Sequence, residues 1–363
     1  MKYSDLKLDC KHFRGDIPCK PHKLYNAHCL EDGNICDYYE KSAENILMIK
    51  LGAIGDVIRT TPLFSRLKSN YPNAKFYWLT NTPDVVPENV DEILGYNFKS
   101  VEYLKSIPFD IAINLDKDKD ACSLLKYIIS KKKYGYILKN GLIAPADKNA
   151  EHKLLTGIFD DLNIENNKNY LEEIFEICGY NYSGEKYILK PFDEFSLSWN
   201  FDKSKKIIGL NTGCGGRWSS RLWPEKYWIE ISRLLIDAGY QVLFLGGEQE
   251  HEKNKRIASI VNGIYLGHFP LKKFINLVQQ TDLVVTAVTM AMHIALALNK
   301  KIVLFNNIFN KSEFELFGLG KIIEPSKKCK CFFSPKCTNN DYQCMDYLEP
   351  ITVYNTIIEI LNK

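Results

Sequence analysis

From residue 45 onward, short apolar runs alternate with stretches whose apolar residues recur at helical spacing. NILMIKL (45–51), KFYWLT (75–80), FDIAINL (109–115) and KKYGYIL (132–138) each read as a buried strand. Between them lie the loop GAIGD (52–56), an amphipathic stretch running to about Tyr71, and a helical CSLLKYIIS (122–130). YLEEIFEICG (170–179) predicts a helix ended by its glycine. Strands that alternate with helices predict a parallel sheet, because a parallel neighbour is reached only through a crossover.

Residues 183–204 break this rhythm and read as a linker. KIIGLN (206–211) then opens a second series, followed by the glycine turn TGCGGRW (212–218) and a long helix with Pro224 in its first turn. YQVLFLGG, GIYLG and DLVVTAV read as further strands, with helices from about 249 and about 270 and across AMHIALALN. KIVLFNN is expected to close the sheet, and PITVYNTIIEILNK (350–363) to form a final amphipathic helix. The expectation is two Rossmann-like domains facing across a cleft, where doubly wound sheets present the C-terminal ends of their strands.

Composition narrows the class. The 363 residues are 45% hydrophobic and 25% charged, which is ordinary for a globular protein and excludes disorder. No apolar run reaches the ~18 residues needed to span a bilayer, and MKYSDLKLDCKHF has no apolar signal core, so a cytoplasmic chain is expected. A net charge of +3 is too balanced for a nucleic-acid binder. Eleven cysteines are many for a reducing compartment, and they cluster. Cys10, Cys19, Cys29 and Cys36 sit in a polar segment (1–42) with His12, His22 and His28, while Cys329, Cys331, Cys337 and Cys344 form a second set. A structural zinc or an iron–sulfur cluster is the expectation for the first set, with the second as a further site or as unliganded thiols.

Four stretches carry candidate chemistry. In LGAIGDVIRTTP (51–62), Gly52 and Gly55 allow close backbone approach, and Asp56 reads either as a helix N-cap or as a general base. In NTGCGGRWSSRLWP (211–224), Gly213, Gly215 and Gly216 with Arg217 and Arg221 look built for phosphates, through backbone N–H groups and guanidinium forks. In FLGGEQE (244–250), acidic residues open a helix, where they favour its dipole or could hold ribose hydroxyls. In VVTAVTMAMHIALAL (284–298), Thr289 could donate to a phosphate, and His293 follows on an apolar helix.

Together these stretches, in this order from about residue 45 to the end, resemble glycosyltransferase family 9, the family of the ADP-heptose:lipopolysaccharide heptosyltransferases. The resemblance implies a GT-B fold and an inverting transfer from a nucleotide-diphosphate sugar to a glycan or lipid-linked acceptor, without a cofactor. It implies Asp56 as catalytic base, Thr212 and Arg221 as donor-phosphate contacts, Glu250 as a donor contact, and Thr289 and His293 as the threonine and histidine of the family's D-T-G-x-x-H. Here Val288 and Met290 replace the aspartate and glycine of that motif. Gly55, Arg59 and His152 are expected on the acceptor side, His152 because AEHKLLTGIFDDL (150–162) reads as polar and irregular.

The domains expected are therefore a Cys-rich segment at 1–42, an acceptor domain at 43–190, a donor domain at 205–345, and a helix at 350–363 packing back on the N-terminal domain. No Asp-x-Asp lies near the donor turn (the acids of DKDKD, 116–120, fall in the N-terminal half), so metal-independent transfer is expected. A peripheral contact with the inner face of the cell membrane is a further expectation. The competing readings are a non-catalytic metal- and nucleotide-binding protein and a nucleotide-sugar epimerase or hydrolase.

Overall fold

The apolar runs become two sheets in a computed structural model that describes residues 2–193 and 199–362. Residues 1, 194–198 and 363, which belong to the Cys-rich segment, the linker and the final helix as expected from sequence, lie outside the described residues. The chain forms two units, residues 1–51, 64–83 and 88–148 in the first, and residues 52–63, 84–87 and 149–363 in the second.

In the first unit a six-stranded sheet runs in the order Glu92–Leu94, Lys75–Leu79, Asn45–Ile49, Phe109–Asn114, Ser130–Lys139 and Leu142–Pro145. All pairs are parallel except the last, which is antiparallel. Ile46, opposite Phe76 on one side and Ile111 on the other, is central and wholly buried. A strand covered on both faces needs no polar alternation, hence the unbroken run ILMI. The N-terminal segment adds a short antiparallel pair, Leu30–Glu31 with Asn34–Ile35.

The second unit holds a wholly parallel sheet in the order Gln241–Leu245, Ile207–Asn211, Leu283–Ala287, Lys301–Phe305 and Gly320–Ile323. Trp228, Ile231 and Leu235 of the helix Glu225–Asp237 and Val353 and Ile357 of the helix Pro350–Leu361 fill its core. Pro224 occupies the N-cap position of its helix, one place ahead of the first turn.

Three sequence expectations change here. GIYLG makes no strand, only a single bridge from Ile264 to Leu243. The sheet closes on Gly320–Ile323 and not on Lys301–Phe305. The final helix packs on the helix Glu225–Asp237 and on the last two strands of this second sheet, whereas packing on the N-terminal domain was expected. Its apolar face meets a core already apolar there, and Lys301 Nζ donates to Ile360 O at 2.7 Å, satisfying a carbonyl of its last turn. No described helix is long and apolar enough to cross a membrane.

Candidate functional site

Ile207–Asn211, the first strand of the second sheet in chain order, lies between the next two, Gln241–Leu245 and Leu283–Ala287. Such a reversal of strand order leaves a crevice at the strand C-terminal ends, where open α/β sheets bind ligands. The ends here are Asn211 and the Ala287–Thr289 junction. Asn211 Nδ2 donates to Gly213 O (3.2 Å), Thr286 Oγ1 (2.9 Å) and Thr289 Oγ1 (3.3 Å), tying the glycine turn to the start of the helix Met290–Ala297.

At this junction lies a cavity of about 420 Å³ within the second unit. It is lined by Asp56 and Arg59 from the glycine loop and helix, Arg221 and Trp218 from the turn, Thr289, Met290 and His293 from the apolar helix, Glu313, Phe309 and Phe314 from the segment after the fourth strand, and Phe333 from beyond the fifth. Another cavity of about 480 Å³, between Asn149 and Tyr182, collects none of these groups.

Asp56 lies in the first turn of the short helix Ile54–Ile58, whose N-cap is Ala53, so Asp56 is not a cap. Its Oδ1 accepts from Arg59 Nη2 at 2.8 Å, and Arg59 Nη1 donates to Glu313 Oε1 at 2.8 Å. The guanidinium lies 3.6 Å over the Tyr170 ring, so both its edge and its face are held. Burial pushes the Glu313 carboxyl up, but Arg59 and then Lys153 outweigh it, and the group ends below the usual carboxylate range.

His293 packs against Gly55. A Cβ at Gly55 would stand 2.4 Å from His293 Cδ2, closer than any real contact. Burial first and the Arg59 charge second push the imidazole down to about 3, against the opposing pull of Asp56 and Glu313, so His293 is neutral in the working pH range. Its Nδ1 is buried without a hydrogen-bond partner among the described residues. Gly55→Ala should therefore cost about 1–3 kcal/mol of stability, the scale of overpacking, in thermal unfolding. Against a His293→Ala background that cost should shrink; equal losses in both would mean the two do not touch.

Arg221 is only 6% exposed. It donates to Cys214 O at 3.1 Å and to Val288 O, and lies 5.2 Å over the rings of both Trp218 and Phe309. Burial lowers its pKa to about 10, which leaves it charged, and its Nε is buried with no partner. Phe333, half exposed and in the left-handed region (φ 48°), meets Trp218 and Phe309 edge-on and completes an aromatic wall. Ser220, whose Oγ donates to Ser334 O at 2.7 Å, fastens the loop behind it.

The remaining candidates disperse. Thr212 is buried, and its hydroxyl donates to Asn254 Oδ1 at 2.5 Å, away from the cavity. Glu250 accepts from Gly247 N at 3.0 Å and presses on Gly213, where a Cβ would stand 2.1 Å from its Oε1. Gly215, Gly216 and Arg217 are exposed on the turn, with Arg217 5.3 Å over the Trp218 ring. His152 faces Glu173 at 3.5 Å. Its segment is not irregular but forms the helices Glu151–Thr156 and Asp160–Glu165. Glu313, Asn211, Trp218, Phe309, Phe314 and Phe333 were not expected from sequence. The cluster of phenylalanines at 309–333 in a polar stretch was the available signal.

Among the described residues the thiols form no metal site. Cys10, Cys19, Cys29 and Cys36 line one cavity of only about 20 Å³ with His12 and His28, yet no three Cys, His, Asp or Glu among the described residues are placed to hold an ion. The four cysteines are half-buried, and the exposed Tyr25 and Tyr38 stack on each other in the same segment. In the second set, Cys331 Sγ lies 3.7 Å from Cys337 Sγ and accepts from Thr338 N at 3.1 Å, while Cys329 Sγ accepts from Cys331 N at 3.3 Å. These contacts form no metal site among the described residues, so the expected zinc or iron–sulfur cluster has no support.

The family described as glycosyltransferase family 9 (heptosyltransferase) matches residues 98–317. Lipopolysaccharide heptosyltransferase 2 of Escherichia coli K12 is 30% identical over 118 residues, 31% of this chain and 32% of that protein. The chain thus aligns with about a third of the length of that relative. Among solved structures, a glycosyl transferase family 9 protein of Veillonella parvula matches with a TM-score of 0.66 at 17% identity, over 89% of this chain and 98% of that one. The E. coli ADP-heptose lps heptosyltransferase II matches with a TM-score of 0.62 at 19% identity, over 88% and 98%. Likenesses of this kind show the fold, which is the expected GT-B type.

Proposed function

Since the chain belongs to glycosyltransferase family 9, we propose that it moves a heptose-like sugar from a nucleotide-diphosphate donor to a hydroxyl of a lipopolysaccharide-type glycan. The observation that carries this is one cavity with a carboxylate, Asp56, and a buried cation with an unpartnered N–H, Arg221, on its walls.

Asp56 takes the proton of the acceptor hydroxyl. The acceptor oxygen then forms its bond to the anomeric carbon as the bond to the diphosphate breaks on the opposite face, which inverts that carbon. The electron pair leaves on the diphosphate, where negative charge grows. Fixed donors at that place lower the barrier because they need no reorganisation. Arg221 and the backbone at the start of the Met290–Ala297 helix supply them. Both carboxylates at the cavity are ion-paired to Arg59, so neutralisation of the leaving group is assigned to the arginine and not to a carboxylate-bound cation. Val288 and Met290 bring apolar side chains to the place of the family's Asp and Gly, which favours a sugar held with fewer polar contacts. We place the reaction in the cytoplasm, at the inner face of the membrane that carries a lipid-linked acceptor.

The test is incubation with ADP-heptose and a lipopolysaccharide core acceptor, following ADP release and the anomeric configuration of the product by NMR. Inverted glycan is expected. Absence of sugar transfer with ADP-heptose and with a panel of other nucleotide sugars would overturn the assignment.

A further inference from the structure

We propose that Glu313 is a positioning residue for the transfer. By holding one edge of the Arg59 guanidinium, it prevents that cation from acting on Asp56 alone and keeps Asp56 basic enough to accept a proton. The inference rests on Asp56 being the base.

An arginine paired with a single aspartate holds the carboxylate about 1–3 pK units down, which suits an ion pair and spoils a general base. Here the same guanidinium meets Asp56 Oδ1 through Nη2 and Glu313 Oε1 through Nη1, each at 2.8 Å. The Tyr170 ring, 3.6 Å below, prevents the fork from swinging wholly to either acid. Two carboxylates on one cation leave the group with a net negative charge beside the proton to be removed. That charge raises proton affinity at Asp56, the carboxylate that lines the loop side of the cavity.

Arg221, a further cation on the same cavity, is held by Cys214 O and Val288 O. His293, from the apolar helix, is neutral. Lys153, from the helix Glu151–Thr156, acts on Glu313, but its Nζ is bound to Glu173 Oε2 at 2.5 Å. Tyr187, against Arg59, is a phenol whose pKa burial pushes up, so it adds no charge there.

Glu313→Gln keeps the shape and the amide oxygen that accepts from Arg59, and removes only the charge. The acidic limb of kcat against pH should move down by about 1 unit, the scale of one nearby charge, and the plateau should fall roughly 3–10-fold with the donor KM unchanged. An unmoved limb would overturn the proposal, since a purely structural Glu313 would change stability alone.

A second measurement needs no substrate. In protein with ¹³C-labelled aspartate carboxyls, the Asp56 signal is assigned by its loss in Asp56→Asn, and it should titrate about 1 unit lower in Glu313→Gln than in the wild type. If that variant does not fold, the wild-type Asp56 signal must itself show a second inflection as Glu313 protonates. A single inflection overturns the coupling. Because this titration is independent of transfer, its outcome separates failure of the Glu313 role from failure of the glycosyltransferase assignment.

Discussion

Replacing Asp56 by Asn should cut sugar transfer by about 10²–10⁴-fold, the usual contribution of a positioned general base, while donor affinity stays within about twofold. The amide is isosteric and can still accept from Arg59 Nη2, so the Arg59–Glu313 pair and the Tyr170 stack stay in place. The loss should therefore appear in kcat and not in the donor KM. Single-turnover kinetics with saturating ADP-heptose would check this. His293, the nearest imidazole, cannot replace Asp56 as a titrating base in the range of roughly pH 5–8, because burial and Arg59 hold its pKa at about 3. Normal turnover in Asp56→Asn would return Asp56 to a role in local structure.

Arg221→Ala should weaken binding of the nucleotide diphosphate by about 1.5–3 kcal/mol, the scale of hydrogen bonds to a charged group. The guanidinium is oriented before any ligand arrives, by Val288 O, Cys214 O and the rings of Trp218 and Phe309, so little ordering is lost on binding. Titration calorimetry with ADP measures the effect directly. Arg217→Ala is the control. That side chain is exposed on the same turn, so its removal should change affinity by well under half as much. Equal effects from both would mean that the turn acts as a diffuse positive patch.

The parallel strands were legible because strands covered on both faces leave unbroken apolar runs, as in ILMI and LVVTA. Glu92–Leu94 and Gly320–Ile323 were not, since an edge strand of three or four residues pairs on one side and carries little pattern. In the site, Asp56, Arg59, Arg221, Thr289 and His293 announced themselves through glycines, arginines and a helix start, all local signals. Glu313 could not, because it reaches Arg59 across 254 residues from a 3-10 turn with no motif of its own. Thr212 and Glu250 do not line this cavity. They stand at the right places in the chain, but their side chains settle neighbouring hydrogen bonds with Asn254 and Gly247.

The aromatic wall has an optical consequence. Trp78 and Trp228 are fully enclosed, and Trp223 nearly so, whereas Trp218 lies at the cavity between Phe309, Phe333 and two arginines. A ligand that displaces water from this indole, or draws Arg221 off its face, changes the polarity that sets its emission. The molecule thus carries a fluorophore at the cavity wall, and once the partly buried Trp199, which packs on Phe269, is removed by Trp199→Phe, the emission shift on binding gauges how full the cavity is.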